Sequence, residues 1–247
     1  LRGGWLTAIV KPLYRLGFRG ADYVFFQNEE DAELFLNLKL VAPEKMVVLP
    51  GSGIDLDYFT PSPLPEGEVS FVLIARLLWD KGIGEYVEAA RRIKALYPGV
   101  RFTLVGPKGA LNQTAIDEEI LQQWVQEGVI DYVGAVEDVR EIVAQHHCVV
   151  LPSYREGMSR VLLEAAAMGR PAIATDVPGC RQAVAPGRNG LLCKAHDAQS
   201  LVDAMLQFIA MTPVARASMG SEGRVRAEQE FDQRIVFDAY LRSINTL

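Results

Sequence analysis

The sequence has little of what marks several large classes of protein. It holds three cysteines in 247 residues, too few and too odd a number for a disulfide framework, and this favours a reducing, cytoplasmic compartment. No stretch approaches the roughly 18 uninterrupted apolar residues of a membrane span, and no signal-peptide pattern is present. The net charge is −6, so the chain as a whole gives no electrostatic reason to expect a nucleic-acid partner.

Familiar ligand motifs are also missing. There is no Gly-x-Gly-x-x-Gly and no P-loop, which argues against a dinucleotide dehydrogenase and against a P-loop kinase. No Asp-x-Asp pair follows a predicted strand, because Asp55 and Asp57 lie in a turn-rich segment. His146 and His147 have no second group of ligands at metal spacing, so we predict a structural role for both. We therefore predict neither a metal nor a cofactor.

What the sequence does have is a regular alternation of apolar strands and amphipathic helices from residue 69 onward. The strand segments are continuous apolar runs, as in residues 69–75 and 148–151. Strands of this kind are buried on both faces, so the predicted fold class is α/β, a doubly wound parallel sheet. A shorter strand–helix–strand pattern over residues 21–49 indicates the remnant of a second, similar domain.

Proline and glycine are concentrated between these two patterns, from Pro50 to Gly67. A stretch so rich in turn-forming residues is typical of a linker. We therefore predict a first part at residues 1–50, a hinge at 51–66, a large domain at 67–230, and an amphipathic helical segment at 231–247.

The segment over residues 1–19 mixes apolar residues such as Leu13 and Leu16 with cations such as Arg15 and Arg19. A basic amphipathic helix can lie on an anionic membrane surface. It can equally bury its apolar side and leave its basic side in water, and we favour this second interpretation. Because the chain starts with leucine rather than methionine, we expect further sequence to precede it.

Two cations stand five residues apart in a predicted loop between a strand and a helix, Arg76 and Lys81. The planar guanidinium and the compact ammonium could converge on a diphosphate. Ligands of parallel sheets bind beyond the carboxyl ends of the strands, which is where this loop lies. Taken alone, however, the pair fits solvated loop charges better.

Two glutamates stand eight residues apart, one after a predicted strand and one inside the next helix. Glu156 follows the strand, and Glu164 lies among leucine and alanine residues. A carboxylate in such a setting needs a partner, and two ribose hydroxyls would suit it. The free N–H groups at the start of the helix offer a phosphate site. An ion pair between Glu164 and Arg160 on a surface helix is an equally good explanation.

These residues together resemble a known signature. Glu156-x7-Glu164 with Gly157, and the run from Glu164 to Thr175, are similar to the motif of the retaining glycosyltransferases of family 4, which have the two-domain GT-B fold. Arg76 and Lys81-Gly82 stand at the matching upstream position, the Pro50–Asp55 segment is similar to the hinge of that family, and Gly187-x2-Gly190 matches a downstream turn. The resemblance covers nearly the whole chain.

The resemblance implies a role for each residue. The catalytic set is Glu156, near the transferred sugar, with Arg76 and Lys81 on the donor diphosphate. The donor-binding set is Arg76, Lys81, Gly157, Met158, Ser159, Arg160, Glu164, Val136 and Gly53, with Glu164 on the ribose, backbone N–H groups of Met158 and Ser159 on the phosphate or sugar, and Val136 with Ala135 near the base. No metal is needed, because the two cations and the helix start supply positive charge.

Some positions depart from the commonest family pattern. Met158 and Ser159 stand where many members have an aromatic residue and a glycine, and Gln182 stands where a glutamate is frequent. These changes bear on the identity of the sugar more than on the fold. The family also has a complete N-terminal acceptor domain, of which residues 1–50 resemble only the last part, and its final helix crosses back to that domain.

The resemblance implies a retaining hexosyltransferase that moves a sugar from a nucleoside diphosphate donor, expected to be UDP-linked, to a glycan or lipid-linked glycan of the bacterial envelope. We expect the 247-residue chain alone to be inactive, and the complete protein to be cytoplasmic, with a peripheral contact at the inner face of the plasma membrane as an option. Two alternatives are open: a phosphorylase or nucleotide-sugar epimerase on the same architecture, and a non-catalytic nucleotide-sugar-binding module.

Overall fold

A computed structural model describes residues 5–109 and 112–246, with side chains from Thr7 onward. The chain forms a two-stranded and a six-stranded sheet, both parallel, with helices between the strands. The strands are β1 (Val24–Phe26), β2 (Met46–Val48), β3 (Ser70–Ile74), β4 (Arg101–Val105), β5 (Asp131–Gly134), β6 (Cys148–Leu151), β7 (Ala172–Thr175) and β8 (Gly190–Cys193). The helices are α1 (Trp5–Arg19), α2 (Glu29–Asn37), α3 (Ile83–Leu96), α4 (Glu118–Gln126), α5 (Arg140–Ala144), α6 (Arg160–Ala167), α7 (Pro178–Ala183), α8 (Ala198–Ala210), α9 (Pro213–Arg226) and α10 (Gln233–Asn245).

The six-stranded sheet is buried on both faces. Alternate residues of β3 enter different hydrophobic clusters: Phe71 and Leu73 join one, and Val72 and Ile74 join the other. Because side chains of a strand alternate between the faces of a sheet, the two clusters cover opposite faces. The predicted doubly wound α/β sheet is therefore confirmed.

The strand order creates a crevice in the middle of this sheet. The order is β5-β4-β3-β6-β7-β8, so the chain first adds strands on one side of β3 and then returns to add them on the other. The loops that follow β3 and β6 diverge at this point although the strands are neighbours, with Val72 opposite Val149. In open α/β sheets this switch in strand order is where ligands bind.

The first part of the chain packs around its own small core. β1 pairs with β2, and a cluster that includes Phe26, Ala32 and Leu40 fills the space beneath the helices. Helix α10 returns to this part, where Tyr240 lies against Phe25 with ring centroids 4.6 Å apart. The domain boundaries drawn from the sequence stay a prediction.

Two elements differ from expectation. The sequence predicts a strand at residues 171–175 that ends in a turn, but the segment after β7 forms α7. This helix begins with proline at its first position, where the missing N–H costs nothing. Helix α1 forms, but the expectation of a buried apolar side holds only in part. Phe18 packs against the core of the first part, whereas Ile9, Leu13 and Leu16 are 52%, 61% and 70% exposed. None of the described helices combines the length and apolarity needed to cross a bilayer.

Candidate functional site

The loop after β3 contacts the end of β6 at Gly82, where the two backbones approach closely. Residues Trp79–Lys81 form a single 3-10 turn, and Gly82 follows with φ of +70°. A Cβ atom at Gly82 would lie 2.1 Å from the carbonyl oxygen of Pro152. Only glycine allows both this left-handed conformation and this approach, so Gly82 sets the turn that carries Lys81 against the end of β6.

Lys81 and Glu156 meet in the crevice. Lys81 Nζ donates to Glu156 Oε1 at 2.5 Å, and the two side chains are only 21% and 13% exposed. The residues are 75 positions apart in sequence and follow different strands. The strand order therefore brings together a cation and a carboxylate that were predicted separately as site residues.

Arg76 lies on the same loop and is exposed. Within the described part of the chain its side chain makes no hydrogen bond and no ion pair. Its backbone carbonyl accepts from the N–H of Leu78 at 2.8 Å, which fixes the start of the loop. Arg76 thus begins the loop at the carboxyl end of β3, and its exposed guanidinium has its donors available to an anion.

The start of α6 adds backbone donors to this region. Ser159 is the N-cap of α6 and is buried, yet its side chain does not cap the helix. Among the described residues, the N–H groups of Met158 and Ser159 have no acceptor. Uncapped N–H groups at a helix start, together with the positive end of the helix dipole, favour a bound anion.

Glu164 is buried inside α6 and 7% exposed. Burial raises the pKa of this carboxyl, and the neighbouring Arg160 guanidinium opposes the rise. Arg160 Nε donates to Glu164 Oε1 at 3.0 Å, so the predicted ion pair forms, but α6 is a buried helix rather than a surface one. The described hydrogen bonds use only Oε1, which leaves Oε2 to accept from a ligand.

A second set of contacts braces the loop after β6. The Tyr154 hydroxyl donates to Glu85 Oε1 at 2.8 Å, and the Tyr154 N–H donates to the Asp80 carbonyl at 2.9 Å. These bonds tie the Lys81 turn and α3 to the strand end that precedes Glu156. The position of His196 in a polar loop predicts a solvated ring; the residue is exposed, and its ring lies over Tyr154 with ring centroids 3.6 Å apart.

Two residues that the sequence did not single out support Gly157. Asn28, only 1% exposed, donates from Nδ2 to the Gly157 carbonyl at 3.1 Å. A Cβ atom at Gly179 would lie 1.9 Å from the same carbonyl oxygen. Asn28 directly follows the region of β1, so the rule that site residues follow strands could have found it.

The remaining predicted residues lie further out. Val136 follows β5 and packs against the hydrophobic cluster on the α6 face of the sheet. Since β5 is two strands from β3, its end lies about 10 Å from the end of β3, as strand spacing requires. Gly53 has φ of +70° and packs against Gln233, where a Cβ atom would lie 2.5 Å from the Gln233 Cα. Chain packing explains that glycine, and its ligand role stays a prediction.

His146 and His147 directly precede β6, so they lie at the amino ends of the strands, opposite the candidate site. His147 Nδ1 accepts from the Ser70 N–H at 3.2 Å, and His146 Nε2 is 2.7 Å from Thr103 Oγ1. Within residues 5–109 and 112–246, no group of three histidine, cysteine or acidic side chains is placed to hold a metal ion. Both histidines are thus held by protein partners.

A family model described as glycosyl transferases group 1 matches residues 68–211, more than half of the chain, including both loops of the crevice. The chain belongs to this family. This membership confirms that the Glu156–Glu164 motif marks a glycosyltransferase, and the solved structures confirm the GT-B architecture that the resemblance implied.

The curated relatives that this chain matches are longer than the chain itself. The N,N'-diacetylbacillosaminyl-diphospho-undecaprenol alpha-1,3-N-acetylgalactosaminyltransferase of Campylobacter jejuni is 29% identical over 95% of this chain and 63% of its own length. The D-inositol 3-phosphate glycosyltransferase of Gordonia bronchialis is 30% identical over 90% of this chain and 52% of its own length. The chain therefore spans between about half and two-thirds of these relatives.

Solved structures share the fold. Sucrose-phosphate synthase from Thermosynechococcus elongatus superimposes with a TM-score of 0.82, at 22% identity, over 100% of this chain and 65% of that one. Anabaena HepE, solved in complex with UDP, gives a TM-score of 0.83 at 20% identity over 96% of this chain and 68% of that one. At such identities the likeness establishes the architecture alone.

Proposed function

We propose that this chain is the donor-binding part of a retaining, family 4 hexosyltransferase that uses a UDP-linked sugar. The observation that carries the proposal is the meeting of Lys81 and Glu156 at the switch point of the sheet, beside the uncapped start of α6. Cations, backbone donors and a carboxylate are thus gathered where a parallel sheet binds nucleotides.

The leaving group of such a reaction is a nucleoside diphosphate, which gains negative charge as the bond to the sugar breaks. Lys81 and Arg76 lie on one loop, and the N–H groups of Met158 and Ser159 lie on the loop across the crevice. Fixed positive charge and oriented donors at that position stabilise the transition state. In this proposal they take the place of a metal ion.

The two carboxylates of the site are assigned to the ribose and to the transferred sugar. Glu164 is buried with one oxygen available, and an ionised carboxylate can accept from both ribose hydroxyls. Glu156 would contact the transferred sugar once a phosphate competes for Lys81. Val136, about two strand spacings away, would lie toward the base.

The names of two relatives support a proposal for the class of acceptor. The Campylobacter jejuni relative is named for a sugar transferred to a diphospho-undecaprenol substrate, and an Escherichia coli relative, 24% identical, is a putative colanic acid biosynthesis glycosyltransferase. These names support a glycan or lipid-linked glycan acceptor in envelope polysaccharide synthesis. Catalysis needs both substrates in reacting geometry, so we propose that this chain alone does not transfer sugar.

The test is a panel of nucleotides and nucleotide sugars scored by thermal stabilisation of the 247-residue chain. A ligand present at about 100 times its dissociation constant adds about 2.7 kcal/mol, enough for a clear shift in Tm. We expect UDP and UDP-sugars to stabilise and NAD to have no effect, with and without EDTA. Stabilisation by no nucleotide would contradict the proposal, and stabilisation that EDTA abolishes and manganese restores would contradict its metal independence.

A further inference from the structure

Asn28 lies at the start of α2 and reaches across the hinge to the loop of Glu156. The residue is buried, 1% exposed, and its Nδ2 donates to the Gly157 carbonyl at 3.1 Å. Among the hydrogen bonds of residues 5–109 and 112–246, no other donor reaches this carbonyl. The bond therefore joins the first part of the chain directly to the loop that carries a predicted site residue.

The side-chain amide of Asn28 has one possible orientation. Asn28 is the N-cap of α2, and its Oδ1 accepts from the Asp31 N–H at 2.7 Å. Only the oxygen of an amide accepts a hydrogen bond, so the NH2 group faces the Gly157 carbonyl and Asp31 Oδ2, which it reaches at 2.9 Å. Serine, threonine and aspartate also cap helices, but none of them supplies an NH2 donor as well. Capping of α2 therefore explains only half of what this side chain does.

The Gly157 carbonyl and the Met158 N–H belong to the same peptide unit. A trans peptide is planar, and its C=O and N–H point in opposite directions, so a bond that fixes the carbonyl also fixes the direction of the N–H. The Met158 N–H is one of the two donors at the start of α6 that have no acceptor among the described residues. A hydrogen bond to the carbonyl also polarises the unit and strengthens its N–H as a donor.

The peptide between Gly157 and Met158 is held by two contacts. Gly157 has no side chain, and the conformational freedom of a glycine backbone would let the following peptide turn over. Gly179 of α7 comes so close that a Cβ atom there would lie 1.9 Å from the Gly157 carbonyl oxygen, which limits the space around it. Asn28 adds the hydrogen bond. Packing from α7 and a bond from α2 therefore select one orientation of this peptide.

We propose that Asn28 is a positioning residue for the donor diphosphate: it holds the Gly157 carbonyl toward α2, so that the Met158 N–H on the opposite side of the peptide donates to a phosphate oxygen. This role rests on the proposed function, in which a phosphate binds at the start of α6. The first part of the chain then contributes to donor binding through a peptide that it orients rather than through a contact with the donor.

The experiment is a calorimetric titration of UDP and of uridine into the wild type, Asn28→Ser and the control Glu30→Gln. Serine still caps α2 but has no amide to reach Gly157, so UDP binds roughly three- to tenfold more weakly, the value of one hydrogen bond. Uridine has no phosphate, and its affinity stays unchanged. Glu30→Gln breaks the ion pair with Arg181, another contact between the same two parts of the chain, and binds both ligands as the wild type does.

A spectroscopic readout separates positioning from general support of the fold. In the wild type, UDP shifts the Met158 N–H resonance in a proton–nitrogen NMR spectrum, and in Asn28→Ser this shift is smaller. Should the serine variant fail to fold, Asn28→Asp takes its place. Aspartate keeps the shape and the cap of α2 but replaces the NH2 donor with an oxygen, so it also loses affinity for UDP and not for uridine.

The outcomes that would overturn this role differ from those that would overturn the proposed function. Equal UDP affinity in the wild type and the Asn28 variant contradicts the role of Asn28 alone. A loss of equal size for UDP and uridine, or an equal loss of UDP affinity in Glu30→Gln, shows that Asn28 only holds the two parts of the chain together. A wild type that binds no UDP contradicts the proposed function and, with it, this role.

Discussion

The strands of the six-stranded sheet are parallel, so their amino ends lie along one edge of the sheet, the amino edge, and their carboxyl ends along the other, the carboxyl edge. The two edges carry similar polar side chains and use them differently. At the amino edge, Arg170 is 1% exposed, and its guanidinium donates to the carbonyls of Ser62, Pro63, Val143 and Ala144. At the carboxyl edge, Arg76 is exposed and has no side-chain partner in the described chain.

A buried histidine at the amino edge and a buried glutamate at the carboxyl edge differ in the same way. His147 is buried and bonded to Ser70, whereas Glu164 is buried with one oxygen left over. Burial of a polar group is common to both edges. What separates a scaffold from a candidate site is whether the buried or half-buried group has used all its hydrogen-bonding capacity within the protein.

The largest expected effect is on the free energy of unfolding, and it differs between the arginines Arg170 and Arg76. Arg170→Ala leaves several buried carbonyls without a donor, and we expect a loss of about 3–5 kcal/mol in the free energy of unfolding. Arg76→Ala, the matched change at the other edge, should alter it by less than about 0.5 kcal/mol. Urea denaturation of both variants checks this. Equal losses of unfolding free energy would show that the two edges do not differ as described.

The next effect concerns pH at the amino edge. Burial, and after it the positive charge of Arg216, lowers the pKa of His147 to about 4. Protonation would also prevent Nδ1 from accepting the Ser70 N–H. The unfolded chain, with a histidine pKa near 6.5, binds this proton first, so stability is present above about pH 6.5 and is lost as the pH falls toward 4. The loss amounts to up to about 3 kcal/mol.

His147→Asn should reduce this pH dependence between pH 7 and pH 5 and leave the part due to His146, whose pKa burial also lowers. The control His196→Asn, at an exposed histidine of the carboxyl edge, should keep all of it. Urea midpoints measured across that range for all three proteins give the answer. A wild-type curve that stays flat in this range would show that His147 is not held neutral by the fold.

The smallest effect is a gain at the carboxyl edge. Glu156→Gln removes the charge that holds Lys81, so a phosphate no longer has to compete with it. Because the pair is partly solvated, we expect UDP affinity to rise by roughly two- to fivefold. Calorimetry of Glu156→Gln against Glu119→Gln, a change on an exposed helix position, measures this. Weaker UDP binding in Glu156→Gln would show that the two residues cooperate rather than compete.

Much of the fold followed from the sequence because apolar strands and amphipathic helices have clear periodicities. The apolar runs of the sequence predict strands at residues 148–151 and 190–193, and β6 and β8 have these bounds. Helix α7 escaped prediction because six residues that begin Pro-Gly also fit a turn. The exposure of Leu13 and Leu16 escaped it because an amphipathic pattern shows that a helix has two sides, not what covers them.

The site was predicted as a set of residues but not as an arrangement. Arg76, Lys81, Glu156 and Glu164 were selected by a resemblance and by their positions after strands. The contact between Lys81 and Glu156 depends on β3 and β6 being neighbours, and local pattern does not determine strand order. Asn28 could have been singled out by its position after β1, but its bond to Gly157 could not, since that bond joins two parts of the chain 129 residues apart.

The central claim is that the carboxyl edge holds one nucleoside diphosphate, with Lys81 on the diphosphate and Glu164 on the ribose. The measurement is a calorimetric titration of UDP and of uridine into the wild type, Lys81→Ala and Glu164→Gln at one salt concentration. Lys81→Ala should weaken UDP by roughly 10- to 150-fold, the value of a charge-assisted hydrogen bond, and leave uridine unchanged. Glu164→Gln should weaken both ligands by a smaller factor. If all three proteins bind UDP equally, neither residue contacts the nucleotide and the assignment of this site is contradicted.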